Sequence, residues 1–466
     1  MMALAVCCPL DAATITNAVP VVSASEFFRP ADDPPAGLDP NGIYPQGQKI
    51  GFGLYSITGW NDAQPGKTNM QRVSEGGFTL AGPFCGAPDP ANIDDAIANN
   101  LKVTFRIEVG PYKEAGDVPR PLDAAYVQAE VRGRVESLIN NPVHDAAVAR
   151  WCILPEELRW WRSSEMECLQ LVSETIRQVE LEHHAAARPI WMYEPNHRWQ
   201  YELVKTGQYQ DIVSMGVYVN KVPRAEGRSA RARWGFEQIV GAAAELGTVP
   251  QAVFELCGDL PDPQSRDPAA IRQLLRHDVY LGLVLGIKSI NIWSMLERPG
   301  LTTHEEQFTA YASVAADLNG PLDLQKVFLF GQRRSDLTVT LLSGQPTTLP
   351  WTDWWGGVHE YDSVSFLEAA YGHDRYLFIV NSTEEPVEIA VSGLPTDDDF
   401  RIESLFDESV PAVTGGCFQL VLEPLEVKAF RMSPTHIPQP TTLALLCAGA
   451  AGAILKGRCG HKPVRN

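Results

Sequence analysis

Positive charge is scarce in this chain. Lys and Arg total 38 against 57 Asp and Glu, a net charge of −19. That balance argues against a nucleic-acid partner, because phosphate binding needs clustered cations. It suits an extracellular protein that handles neutral ligands. A glycine-rich phosphate loop is also missing. The first apolar run ends Ser56-Ile57-Thr58-Gly59-Trp60-Asn61-Asp62, which cannot wrap a pyrophosphate as a doubly wound nucleotide-binding sheet would. Cysteine spacing follows no framework. With Cys7, Cys8, Cys447 and Cys459 set aside at the ends, Cys85, Cys152, Cys168, Cys257 and Cys417 match neither a zinc nor a disulfide pattern. No metal site and no cofactor are expected. No apolar run is long enough for a full bilayer span. Thr441 to Leu455 would reach only about 22 Å as a helix, short of the ~30 Å hydrocarbon core. Residues 1–23 read as a truncated signal peptide that lacks the usual basic start.

What is present is an alternation. Apolar runs at Ile50–Ile57, Phe78–Gly86, Leu101–Gly110, Val148–Glu157, Arg188–Pro195, Asp211–Asn220, Pro250–Gly258 and Ser289–Leu296 are separated by helical patterns. One helix carries Val127, Val131, Val135 and Leu138 on a single face. Another opens at Ser164 with a capping box to Glu167. A third opens on Asp267-Pro268, and a last one at Thr303 with Glu306 three residues on. Eight strand–helix units within residues 48–320 predict an α/β fold, a (β/α)8 TIM barrel. The rival doubly wound sheet lacks its phosphate loop.

Residues 24–47 are rich in proline and glycine and read as an irregular arm lying on the barrel. Beyond Pro321 the period changes to two. Residues 321–434 predict a small antiparallel β-sandwich, with strands at Leu337–Gly344, Val364–Gly372, Asp374–Thr383, Val387–Leu394, Phe400–Phe406 and Cys417–Ser433. The tryptophan-rich loop Trp351–Trp355 is expected to pack against the barrel; a second sugar platform is the alternative. Residues 435–466 order Ile437-Pro438-Gln439-Pro440, a short apolar run, then Lys456, Arg458, Lys462 and Arg465. This tail resembles the PEP-CTERM sorting signal, with Gln439 where that signal usually has glutamate. The resemblance implies an exported, cell-surface or extracellular protein, processed by an exosortase-type enzyme and held at a membrane through the tail until then.

The active site of a barrel lies at the C-terminal strand ends. The fourth run stops in Pro155-Glu156-Glu157-Leu158-Arg159-Trp160-Trp161. Carboxylates there suit acid/base work, and indole faces suit pyranose rings. The other strand ends offer Trp60, Arg106 and Glu108, then Glu194, Asn196, His197 and Arg198, then Tyr218 and Asn220, Glu255 and Asp259, and Trp293. Trp151-Cys152-Ile153-Leu154-Pro155-Glu156, Val253-Phe254-Glu255-Leu256-Cys257-Gly258 and Trp293 within Ile290-Asn291-Ile292-Trp293 resemble the clan A barrel glycoside hydrolases. The resemblance implies Glu156 as acid/base and Glu255 as nucleophile, with retention of configuration on a carbohydrate substrate. Trp60, Arg106, Glu108, Glu157, Glu194, Asn196, His197, Tyr218 and Trp293 become subsite walls. Tyr218 is expected to donate to Glu255, and Trp293 to floor a subsite. Glu157 and Glu194 are placed to raise the acid's pKa by repulsion, unless they pair with Arg159 and Arg198.

Two other readings stay open. Pro155 stands where the clan commonly has asparagine, which favours a glycan-binding or structural barrel without catalysis. Metal-assisted chemistry through Glu194, His197 and Glu255 is the third.

Overall fold

The structure is a computed structural model. It describes residues 23–30, 35–57, 66–84, 90–109 and 122–435, apart from 155, 157, 224–226, 261–262, 297, 299, 397–398 and 407–409. Trp60, Glu157, Cys85, the start of the chain and the PEP-CTERM-like tail lie outside the described residues. Among those described, no helix is long and apolar enough to cross a membrane.

The eight apolar runs form a closed, all-parallel barrel. Its strands are β1 (Gly51–Leu54), β2 (Leu80–Ala81), β3 (Lys102–Glu108), β4 (Val148–Leu154), β5 (Ile190–Trp191), β6 (Ile212–Gly216), β7 (Val249–Glu255) and β8 (Ser289–Trp293). β8 pairs with both β7 and β1, which closes the ring and leaves no edge. Helices return the chain from each strand to the next and bury their apolar stripes outside it. The helix Ala124–Ile139 buries the expected Val127, Val131, Val135 and Leu138. Asp267 caps Pro268–Leu285 by accepting from the Ala269 and Ala270 N–H groups.

Two helix starts differ from expectation. Ser163–Glu182 begins without a side-chain cap bond. Glu165 in its first turn instead accepts from the Arg159 N–H and guanidinium, because a buried carboxylate gains more from a cation than from a cap. At His304–Asn319, Thr303 makes no cap bond either. Asp259 accepts from the Thr302 and Thr303 N–H groups and hydroxyls, so it holds this helix start. Burial raises the Asp259 pKa, but these bonds outweigh it and hold the group below the usual range.

The second unit stacks a five-stranded antiparallel sheet (Gln332–Arg333, Val364–Tyr371, Asp374–Asn381, Val427–Pro434, Phe400–Ser404) on a three-stranded one (Thr338–Ser343, Val387–Ser392, Cys417–Leu422). The sequence suggests one strand over Cys417–Ser433. The structure divides it, because the turn at Glu423–Glu426, with Leu425 at φ +53°, carries the chain from one sheet to the other. The start of the N-terminal arm is helical over Ala24–Phe27 and seals this core instead of lying on the barrel, because Phe27 and Phe28 find their apolar partners in Leu377, Phe430 and Met432. Arg375 fixes it by donating to the Phe27 carbonyl at 2.7 Å while pairing with Glu368.

Several contacts lock the sandwich to the barrel. Phe378 of the sandwich lies against Tyr280 of the helix Pro268–Leu285, with ring centroids 6.4 Å apart. The hairpin Thr348–Thr352/Val358–Asp362 lays Trp351 on the fully buried Trp234, with ring centroids 4.9 Å apart. Trp351 therefore packs on the barrel as expected. Trp354 and Trp355, at the hairpin tip, stay 46% and 65% exposed.

Candidate active site

Strand alternation decides which side chains enter the barrel. Gln251, Val253 and Glu255 share one face of β7, opposite Ser289, Asn291 and Trp293 of β8. The lowest layer is polar. Arg150 of β4 donates to Thr104 (3.0 Å), Gln251 (2.6 Å) and Ser289 (2.9 Å). It has no carboxylate partner among the described residues, and burial pushes its guanidinium down to about 10. Above it lie Tyr55, Cys152 and Trp191, with Tyr55 edge-on to Trp191 at 5.9 Å.

At the mouth three rings stack. Tyr193 lies 5.9 Å from Tyr218, which lies 5.7 Å from Trp293 at 12° between planes. Gly216 is required here, because a Cβ would fall 2.6 Å from the Tyr193 hydroxyl. The expected Tyr218 bond to Glu255 is not formed; the Tyr218 hydroxyl pairs with Tyr193. The two tyrosines end adjacent strands, and their stacked rings keep the hydroxyls together. Trp293 is half-buried, with the Arg298 guanidinium 4.2 Å over its ring.

Glu255 closes β7 and is 4% exposed. One oxygen accepts the Asn220 N–H and the other faces the Cys257 thiol at 3.6 Å. Tyr311 holds its backbone carbonyl at 3.1 Å. Glu255 is in no ion pair among the described residues. Burial raises its pKa above the ordinary carboxylate value, against the Asn220 N–H, Arg228, the Cys257 thiol and Lys221. Behind it, Arg228 donates to the Asn220 amide oxygen at 3.2 Å and forks onto Asp278 at 2.8 and 2.6 Å. His277 joins Asp278 to Ser382 of the sandwich.

Glu156 is half-buried across the mouth, and its charge acts on Tyr55 and Cys152. Arg106 points into the same space, donates to the Phe84 carbonyl at 3.2 Å and pairs with Glu108 at 2.9 Å. Glu194 does not join them. Tyr193 faces the axis, so Glu194 faces outward, where Arg198 donates to it at 3.1 Å. Arg198 also holds the Leu158 carbonyl. A carboxylate engaged on the outer face cannot raise the pKa of an acid in the mouth by direct repulsion. Asn196 is half-buried, and the exposed His197 sits edge-on to Trp354 at 6.2 Å. Trp160 donates its indole N–H to Glu202 at 2.8 Å, and Trp161 is 58% exposed over Arg198. Among the described residues, no three His, Cys, Asp or Glu side chains are placed to hold a metal ion.

No family description and no curated protein matches this chain. Solved structures do. A variant of AmyP in complex with maltotriose is 12% identical with a TM-score of 0.50, over 83% of this chain and 98% of that one. The chain shares its barrel-and-sandwich fold with AmyP. An α-amylase from Geobacillus thermoleovorans complexed with acarbose is 10% identical over 84% and 99% of the two chains, TM-score 0.48. A GH30 endoxylanase from Clostridium papyrosolvens C71 is 13% identical over 83% and 96%, TM-score 0.44.

The sequence reading passed over Tyr55, Tyr193, Arg228 and Asn291. Strict alternation along β1, β5 and β8 points three of these inward. No sequence signal pairs Arg228 with Asp278, which lies fifty residues further on.

Proposed function

We propose that this protein is a glycoside hydrolase in which Glu255 is the nucleophile and Glu156 the acid/base. The observation that carries this reading is Glu255: a buried carboxylate at a barrel mouth, bonded by donors and in no ion pair among the described residues. Burying such a group is costly without a job for it. The aromatic stack of Tyr193, Tyr218 and Trp293 beside it supplies flat faces for a sugar ring. The fold shared with AmyP, recorded with maltotriose, supports a carbohydrate substrate.

In this mechanism Glu156 protonates the departing glycosidic oxygen while Glu255 attacks the anomeric carbon. Water, deprotonated by Glu156, then cleaves the glycosyl–Glu255 ester, with net retention. A screen of aryl glycosides and polysaccharides tests it. Turnover is expected, with the α or β configuration of the substrate preserved in the first-formed product by NMR. Because Glu255 must be ionised and its pKa is raised, kcat/KM should fall on the acid side at a pH above the usual carboxylate range near 4.3. No turnover on any substrate, with glycan binding intact, would leave a binding barrel instead.

Export belongs to the same proposal and is supported by the order of features in residues 435–466. Intact-mass analysis of protein recovered from an exosortase-bearing host should show loss of the tail. A full-length tail on the secreted protein would count against it.

A further inference from the structure

The chain is strongly acidic, yet three cations at the mouth of its barrel have no carboxylate partner among the described residues. Lys221 follows Asn220, the residue whose N–H holds Glu255. Its side chain lies across the β7 loop, with Cε 3.4 Å from where a Cβ on Gly258 would stand. Arg298 reaches the same loop from the other side, donating to the Cys257 carbonyl at 3.5 Å and to Ser294 at 3.3 Å. Arg231 lies with its guanidinium 5.1 Å over the ring of Trp354. None of the three is in an ion pair among the described residues. Lys221, Arg231, Pro223, Asp353 and Trp354 line an open hollow of about 320 Å³ between the barrel and the sandwich hairpin. Lys221 and Arg231 both act electrostatically on Glu255.

Helix electrostatics do not account for the place of Arg231. Arg231 stands in the first turn of the helix Arg228–Leu246, which has no acidic residue there and the glycine Gly227 as its cap. A cation at the positive end of a helix dipole is unfavourable. Arg228 in the same turn is neutralised by Asp278, whereas Arg231 is not. The one acid among the described residues of the pocket wall is already occupied. Asp353 accepts from the Trp355 and Gly357 N–H groups and faces His359.

We propose that this pocket is a subsite for a sugar bearing a negative charge, a carboxylate or a sulfate ester. The substrate is then an acidic polysaccharide, not the neutral glycan that the net charge suggests. The exposed Trp354 borders the ring of that sugar, and Lys221 and Arg231 meet its anionic group. The inference rests on the barrel mouth being a sugar site, but not on turnover there.

Binding is therefore tested apart from catalysis. The full-length Glu255→Gln protein is run in affinity electrophoresis against polygalacturonate, alginate and hyaluronan, each beside its carboxyl-reduced form, and against dextran sulfate beside dextran. At least one acidic polymer should retard the protein, its neutral counterpart should not, and the retardation should weaken with added salt. The carboxylate and sulfate arms identify the anion. Lys221→Gln and Arg231→Gln should each weaken that binding about 10-fold or more, the size of one lost charge-assisted bond, while thermal unfolding stays unchanged. Equal retardation by charged and neutral forms, or full binding by both variants, would overturn the subsite. Acidic-polymer binding without turnover in the unmodified protein would retire the hydrolase reading and leave the subsite standing.

Discussion

Glu255→Gln is expected to reduce kcat by about 10⁴-fold, the size seen when a group that forms a covalent intermediate is removed. Glutamine keeps the shape and can still accept the Asn220 N–H, so the fold should hold. It cannot attack the anomeric carbon. The substitution also removes a buried charge that no ion pair compensates, so stability should be unchanged or slightly higher. Glu156→Gln should cost about 10²- to 10⁴-fold as a lost general acid. Its effect should shrink on aryl glycosides with good leaving groups, which need no proton. Azide should rescue Glu156→Gln by replacing the activated water, giving a glycosyl azide of retained configuration; in Glu255→Gln the glutamine amide fills the place azide would need, so no retained azide should form. Steady-state rates on the best aryl glycoside from the screen, with and without azide, check all three. If both variants keep full activity, the catalytic carboxylates are elsewhere.

Asp278→Ala should destabilise the protein by about 3–5 kcal/mol, the cost of breaking one side of a buried ion pair. Both partners are 2% exposed or less, and Arg228 would be left as a buried cation with only the Asn220 oxygen. Stabilities of 5–15 kcal/mol are usual, so this is a large fraction of the whole. The pH dependence has a definite sign. Burial raises the Asp278 pKa, but Arg228 and His277 outweigh it and the group ends below its ordinary value. A depressed folded pKa contributes stability above the unfolded value near 3.9, and that stability is lost as pH falls through the folded one. The gap between wild type and Asp278→Ala should thus be full at pH 7 and close in strong acid. Urea unfolding at several pH values measures it. Replacing both partners, Arg228→Met with Asp278→Leu, should recover most of the stability. It should not recover activity, because Asn220 loses the guanidinium that orients it under Glu255.

The eight apolar runs were legible because a parallel barrel strand is buried on both faces and reads as a continuous apolar segment. The Glu156 and Glu255 positions were legible because a carboxylate at the end of such a run is conspicuous. Glu194 was legible as a strand-end acid but not in its direction. A shift of one residue in register moves a side chain from the axis to the helices, and Tyr193 takes the inward place. The Tyr218 hydroxyl met a neighbour that its own strand could not reveal. The same holds for the single strand expected over Cys417–Ser433, where alternation continues through a turn that changes sheets.

The sequence by itself determined the (β/α)8 class, the trailing sandwich and the acidic balance of the surface, since these rest on periodicity and composition, which are local and additive. Only the tertiary structure decided that Arg228 serves Asp278, and that Lys221, Arg231 and Arg298 gather at the mouth of a negatively charged protein; the Arg198 pairing with Glu194, four residues apart, was already offered by the sequence. Arg228 and Asp278 stand on different strand–helix units, and Arg298 reaches the mouth from a third. These placements depend on barrel closure and shear, which set the distance between side chains that the chain order keeps far apart.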